Sequence, residues 1–441
     1  MTNSSGYKKY LLNTSWLFAE KILRIILTFI VIVWMARYLG PEQFGTYNYA
    51  LSFVALFSII STLGLDNLIN KELIADPLKS NSILGTSFVL RILGAVLLCV
   101  LSIITIIFIR PDDQAMLSFV VILSLTFFFN AFDIIKYWFQ SHVQAKYSVI
   151  ADAITLFAGT FIKILLIINE APLSSFIWLV LIEAIILCIL LLIIYKKKSN
   201  LISKWNFDKK EAMHLLTEAW PLILAGTLYI LYTRIDQIML GEMIGNESVG
   251  IYAAAIRISE SWMFIPGIIA TSFFPAMLNA RKIDYSLYIQ RTKYLLNIMA
   301  CLGICASIVV YFVATPFIAL TFGSYYIESS TVLIIHIWGG IFTAMSVISY
   351  RYFIAEGLQK SSFYRGLIGF LINIIMNYFL IPLYGAIGAA IATVVSQTMA
   401  LYIFNITNPK TRPMFYMQTR ALFLLDIIDT LKHIKSLKGN K

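Results

Sequence analysis

The sequence predicts an all-α polytopic membrane protein with about twelve transmembrane helices in two pseudo-symmetric six-helix lobes. Three observations point there. Of 441 residues, 59% are hydrophobic and only 13% charged, and the mean hydropathy is +0.82, a balance that sets of soluble domains do not have. Apolar runs of about 20 residues, enough to cross about 30 Å of hydrocarbon as a helix, recur along the chain. They lack the apolar/polar alternation of barrel strands. Finally, the chain repeats itself. Gly40-Pro41-Glu42-Gln43-Phe44-Gly45-Thr46-Tyr47 and Gly245-Asn246-Glu247-Ser248-Val249-Gly250-Ile251-Tyr252 both fit G-x-E-x-x-G-x-Y at an offset of 205 residues, and Trp16 and Trp220 stand upstream at nearly the same offset. Each copy is a short polar break between long apolar segments, the mark of a duplicated membrane unit.

In order, helices are expected over 13–37, 47–65, 83–109, 115–136, 148–168 and 174–195, then over 215–240, 249–275, 294–320, 331–355, 362–381 and 387–406. The domains follow: an N-terminal lobe 1–195, a basic linker 196–214, a C-terminal lobe 215–406 and a basic tail 407–441. The odd-numbered connections contain one cation, Arg110; the even-numbered ones and the ends hold most of the others, including Lys196, Lys197, Lys198, Lys209, Lys210, Arg281, Lys282, Lys360 and Arg365. By the positive-inside rule both termini are cytoplasmic. The net charge of +11 is thereby mostly a topology signal, and no nucleic-acid motif accompanies it. The first apolar segment carries Glu20, Lys21 and Arg24 with no small-residue cleavage site after it, so it is expected to stay as the first helix. In the tail, Ala421 to Leu437 has helical apolar spacing beside Lys432 and Lys435, which predicts an amphipathic helix on the inner leaflet, with a buried docking helix as the alternative. Cys99, Cys188, Cys301 and Cys305 all lie in apolar segments and read as packing residues.

The charges left inside the helices carry the functional argument. Each costs about 2.5 to 3.5 kcal/mol at a helix centre even on the lenient insertion scale, so they face one another or water. Glu20 and Arg24 are four apart and Arg257 and Glu260 three apart; Asp152, Gly159 and Lys163 share one stripe. Arg234 and Asp236 are two apart, and each looks to another helix. One reading makes these pairs structural locks. The other places surplus cations around a cavity for an anionic substrate, with Lys21, Arg24, Arg91, Arg257 and Arg351 as the candidates. Arginine keeps its charge when buried and binds phosphate oxygens bidentately. In that reading Glu20, Asp133, Asp152 or Glu183 takes up H+ or Na+ in exchange, because a carboxylate's pKa rises in a dry site. Arg37, Lys163 and Arg234 lie nearer helix ends, where snorkelling competes.

No catalytic constellation is present: no Walker loop, no His-rich metal motif and no Gly-x-Ser-x-Gly. The four histidines are scattered, and His336 reads as a packed polar residue. Outer connections of at most about ten residues leave no room for an external catalytic domain. The chain is thus expected to be a transporter without a cofactor or a metal site, not an enzyme. Tyr229, Tyr232, Tyr350 and Tyr352 suit sugar stacking and an interfacial aromatic belt equally.

Three stretches carry a family likeness. Ala36 to Tyr47, Arg234-Ile235-Asp236-Gln237-Ile238-Met239-Leu240-Gly241, and Ile381-Pro382-Leu383-Tyr384-Gly385-Ala386-Ile387-Gly388-Ala389-Ala390-Ile391-Ala392-Thr393 together resemble Wzx-type polysaccharide flippases of the multidrug/oligosaccharidyl-lipid/polysaccharide exporter superfamily. The resemblance implies a MATE-like fold around a cationic central cavity with alternating access. It also implies a cargo of undecaprenyl-diphosphate-linked oligosaccharide, moved from the cytoplasmic to the periplasmic leaflet of a bacterial inner membrane for O-antigen or capsule assembly. Membrane lipid and, by family analogy, an O-antigen polymerase are the further partners. A cation-coupled multidrug exporter of the same fold is the nearest alternative; a membrane glycan polymerase is the alternative from another class. If the cavity reading holds, Arg24→Ala or Arg257→Ala is expected to abolish transport while leaving membrane insertion intact. Full complementation by both variants in a transport-deficient host would remove these residues from the substrate site.

Overall fold

The computed structural model describes residues 4–198 and 202–426, with side chains described from residue 23 onward. Its helices are α1 (Ser4–Thr62), α2 (Asp66–Ala75), α3 (Ser80–Ile109), α4 (Gln114–Asn130), α5 (Ile134–Ser141), α6 (Lys146–Ile168) and α7 (Leu173–Lys197), then α8 (Lys209–Met243), α9 (Asn246–Ser261), α10 (Phe264–Ile283), α11 (Tyr285–Thr321), α12 (Glu328–Ala355), α13 (Gln359–Leu401) and α14 (Arg412–Leu422). Among the described residues, ten helical spans are long and apolar enough to cross a membrane. Two of them are each two helices joined at a glycine with non-helical dihedrals, Gly40 (φ 72°, ψ 170°) in α1 and Gly385 (φ 54°, ψ −131°) in α13, which gives twelve segments. Positive φ costs an L-residue roughly 1 to 2 kcal/mol, so glycine is the natural occupant of both breaks. Pro41 directly follows the first break, where the missing N–H is no loss.

The eighth expected helix, 249–275, differs from the observed one. It breaks at Trp262–Met263 into α9 and α10, and α10 continues to Ile283. Helix α11 starts at Tyr285, nine residues before its expected start. The cause is Asp284, whose carboxylate accepts from the Ser286 backbone N–H at 2.9 Å and from its hydroxyl at 2.5 Å. These hydrogen bonds hold its carboxyl below the usual range, so the cap stays charged at the positive end of the helix dipole. An additional helix, α2, follows the second membrane segment and buries Leu68, Ile69 and Leu73.

The chain forms two compact units, Met1–Arg234 and Ile235–Lys441, and the division falls inside α8. In the first unit, α2 and α5 pack with α7 and the start of α8 through Ile69, Phe139, Tyr195 and Leu215. The segment before α8 is seated on that unit. Trp205 Nε1 donates to Tyr195 Oη at 3.2 Å, the Asp208 N–H donates to Thr86 Oγ1 at 3.0 Å, and a Cβ on Gly85 would meet the Asn206 carbonyl at 2.5 Å.

In the second unit, α11 and α12 form the core, with Tyr288 and Tyr352 stacked at 5.8 Å. Helix α14 docks on it through Met414, Met417 and Ala421, and its buried Gln418 accepts from Asn405 Nδ2 at 2.7 Å. Ala421 is therefore part of a docked helix that ends at Leu422; residues 427–437 of the expected amphipathic run lie outside the described residues. Helices α11 and α12 approach closely at Gly303, where a Cβ would sit 2.8 Å from Ile341 Cα. Gly303→Ala is expected to cost about 1 to 3 kcal/mol as overpacking, read as a lower unfolding temperature in detergent. Gly366→Ala, in open space within α13, is the control, expected to keep or slightly raise the unfolding temperature because alanine is the better helix former.

Candidate functional site

The two copies of the duplicated motif share their backbone geometry. Gly245, like Gly40, has positive φ with extended ψ (129°, 172°) and precedes a helix, and Tyr47 and Tyr252 are both buried. Their surroundings differ. Tyr252 Oη donates to Asp236 Oδ2 at 2.6 Å, whereas the 205-residue offset takes Asp236 to Val31, an apolar core residue.

Asp236, 4% exposed, is the centre of a polar cluster inside the second unit. Thr393 Oγ1 donates to Oδ2 at 2.6 Å, and Asn377 Nδ2 donates to Oδ1 at 2.6 Å and to Asn373 Oδ1 at 3.1 Å. Three helices supply these groups: α9 brings Tyr252, and the two halves of α13 bring Asn373 and Asn377, and Thr393, to α8's Asp236. No cation lies within ion-pair distance of this carboxylate among the described residues. Asn377 Oδ1 and Asn373 Nδ2 are buried without a partner. An unneutralised carboxylate in a membrane interior is costly, and the surrounding set of carboxylate, hydroxyl and amide oxygens is the ligand chemistry of a hard monovalent or divalent cation. A rotation of the Asn377 amide adds its orphaned oxygen to that set. The cluster can hold a proton or a small hard cation. Edge-on to Tyr252 at 6.4 Å is His336, buried and bonded through Nδ1 to Ser259 Oγ at 2.7 Å.

The carboxylates named from sequence sit differently. Asp133 and Asp152 both meet Lys136, at 3.0 and 2.9 Å, and Asp152 also lies 3.6 Å from Arg24. Glu183 meets Lys163 at 2.8 Å over Gly159, where a Cβ would fall 1.9 Å from its carboxylate oxygen. Helix α6 thus meets Lys136 and Arg24 through Asp152, and Glu183 of α7 through Gly159 and Lys163. Glu20 and Lys21 lie on α1, their side chains outside the described residues.

Among the candidate cations, Arg91 is buried. It pairs with Asp66, stacks on Tyr137 at 5.6 Å and borders a cavity of about 120 Å³ lined also by Asn130 and Asp133. Arg24 is 46% exposed, Arg257 is exposed, and Arg351 is half-buried, donating to Thr271 Oγ1 at 2.7 Å. Arg365, counted with the connection cations at the start of the expected helix 362–381, is instead buried in α13, donating to Ser349 Oγ at 2.9 Å and stacking on Phe353 at 5.3 Å. Sequence reasoning placed Asp236 against another helix but not in a site. The signal that could have found its partners is the i, i+4 pair Asn373 and Asn377 on an apolar helix.

A family model described as "Polysaccharide biosynthesis protein" matches residues 10–281. The chain is 23% identical to the capsular polysaccharide biosynthesis protein CapF of Staphylococcus aureus over 88% of its length and 96% of that protein's. It is 22% identical to a putative O-antigen transporter of Shigella dysenteriae, over 84% and 93%. Two solved structures share the fold: the lipid II flippase MurJ in an inward closed conformation (TM-score 0.71, 18% identity, 95% of this chain and 92% of that one), and an inward-facing multidrug resistance MATE family transporter of the MOP superfamily (TM-score 0.72, 12% identity, 90% and 96%). If the Asp236 cluster holds Na+, replacing K+ by Na+ raises the unfolding temperature of the purified protein, and Asp236→Asn removes the increment. At 100 times the dissociation constant the stabilisation is about 2.7 kcal/mol. Equal unfolding temperatures in both salts would leave the proton as its ligand.

Proposed function

This chain belongs to the polysaccharide biosynthesis protein family, and from that premise we propose that it is a flippase for undecaprenyl-diphosphate-linked oligosaccharide repeat units. In this reading it moves them from the cytoplasmic to the periplasmic leaflet of a bacterial inner membrane for O-antigen or capsule assembly, by ion-coupled alternating access. Both termini are cytoplasmic, the functional lobes are 1–195 and 215–406, and an O-antigen polymerase takes the delivered units. The single observation that carries the reading is the family match over residues 10–281.

The physical chemistry supports it. A diphosphate needs fixed, permanently charged donors, and among the described side chains Arg24, Arg257 and Arg351 are the candidate cations that are not fully buried. Coupling needs a group that is stable in two ligation states. We assign that role to Asp236 with Asn373, Asn377, Thr393 and Tyr252, ahead of Asp133, Asp152 and Glu183, whose charges are already met by lysines. Ion binding and release at Asp236 changes the number of charges buried in the second unit by one, which is the differential free energy that a population shift requires.

The test is a host lacking this gene, with undecaprenyl-diphosphate-linked units quantified and probed from the periplasmic side. Accumulation of inaccessible units, reversed by the wild type and not by Asp236→Asn expressed at equal level, is the expected outcome. Accessible single units that fail to polymerise would indicate a polymerase. Unchanged lipids with gained drug tolerance would indicate a multidrug exporter.

A further inference from the structure

Outside the groups discussed so far, the first unit brings a histidine and two carboxylates together where α2 meets the first turns of α8. His214 and Glu218 are four apart on α8, so they project from one helix face, and Glu72 comes from α2. One ligand atom of each lies within 4.8 Å of the other two, with His214 Nε2 3.8 Å from Glu72 Oε2. The two carboxylates already share a cation. Lys71 Nζ is 2.8 Å from Glu218 Oε2 and 3.4 Å from Glu72 Oε1, so its ammonium marks the position where positive charge is favoured.

We propose that Glu72, His214 and Glu218 form a binding site for a transition-series divalent cation, Zn2+ being the best-matched species, which clamps α2 to α8 when Lys71 yields its place. The donor set selects the class: an imidazole with two carboxylates suits zinc, cobalt or nickel, whereas magnesium and calcium favour all-oxygen shells. Metal–ligand bonds of about 2.0 to 2.2 Å imply ligand–ligand separations of roughly 3.3 to 3.5 Å in a tetrahedron. The 4.8 Å limit therefore has to contract by about 1.3 to 1.5 Å. His214 and Glu218 are 46% and 40% exposed, so rotamer changes alone supply it. Three protein ligands leave the fourth position to water.

The site adds to an existing contact. Leu68, Ile69 and Leu73 of α2 share a core cluster with Leu215 and Ala219 of α8, and in the metal-free form Lys71 bridges the same two helices. Bound metal frees the Lys71 ammonium and raises the stability of this helix pair, so the protein senses divalent cation on the face that bears α2. The site does not depend on what the protein transports.

The test is Co2+ titration of the full-length protein in detergent, followed by its visible absorption, with Zn2+ competition and Zn2+-dependent unfolding temperature as second readouts. Wild type is expected to show saturable Co2+ binding displaced by Zn2+. Lys71→Met, lacking the competing charge, should bind roughly tenfold more tightly. His214→Gln and Glu218→Gln should each weaken binding by at least roughly tenfold and abolish the Zn2+ shift. The other histidines and the four cysteines are retained in every variant and set the background. Equal affinity in wild type, His214→Gln and Glu218→Gln would overturn the site. Absence of saturable binding in wild type would overturn it for the native chain, whatever Lys71→Met shows.

Discussion

A carboxylate inside a hydrocarbon slab is neutralised by a cation beside it, by a proton on it or by an ion bound to it, and much of this structure follows from which remedy each acid takes. In the first unit the remedy is a lysine or arginine: Asp133 and Asp152 share Lys136, Asp152 also approaches Arg24, and Glu183 has Lys163. Such pairs hold helices in register. Removing a partner leaves a carboxylate short of its counter-charge, which makes them poor groups to cycle between ligation states. Asp236 takes the other course. It has three hydrogen-bond donors and no cation among the described residues, so its charge is stabilised only in part, which is the condition the proposed coupling role requires.

The duplication sharpens this distinction. Both halves keep the glycine at positive φ, the following helix and the buried tyrosine, because each half turns its chain at the same place in the same way. A backbone requirement of that kind is indifferent to chemistry, so it survives in both copies. The polar cluster is a different matter. Val31 stands where the offset places Asp236, and burying it costs nothing, while Asp236 needs three donor side chains, with Asn373 behind Asn377, assembled from α9 and both halves of α13. A structural role alone would be met at lower cost by an apolar residue on both sides.

What the sequence made legible was whatever the membrane dictates locally. Segment length and apolarity are set by the bilayer, and breaks at Gly40 and Gly385 are set by backbone sterics, so twelve segments were readable in order. The interruption at Trp262–Met263 carries a local sign that does not fix a helix end: Pro266, four residues after Trp262, lacks the N–H that would bond the Trp262 carbonyl, but prolines also sit inside continuous membrane helices, as Pro221 and Pro316 do. Helix α11 began early because a single cap, Asp284, outweighs the polar character of the turns that follow it. The site was legible only in part for a related reason. That Asp236 must look to another helix follows from its spacing to Arg234; that the helix is α13, with Asn377 141 residues away, follows from tertiary packing. Arg365 read as a connection cation because it lies near a cluster of polar residues, yet Ser349 and Phe353 make it part of the core.

The same reasoning narrows what the cation surplus means. With 34 lysines and arginines against 23 acids, every intramembrane arginine invites a role in anion recognition, but an arginine whose guanidinium is sealed in the core is out of reach of a cargo. Arg91 is 3% exposed, its guanidinium held by Asp66 and Tyr137 with Nε buried and unpartnered; Arg365 is 6% exposed and is held by Ser349 and Phe353. Truncating either leaves buried groups without partners, so loss of function there reports on folding. Arg24, Arg257 and Arg351 keep part of the side chain accessible. A mutational map of transport that weights all arginines equally would therefore confuse the buried residues that build the bundle with those whose side chains reach its surface.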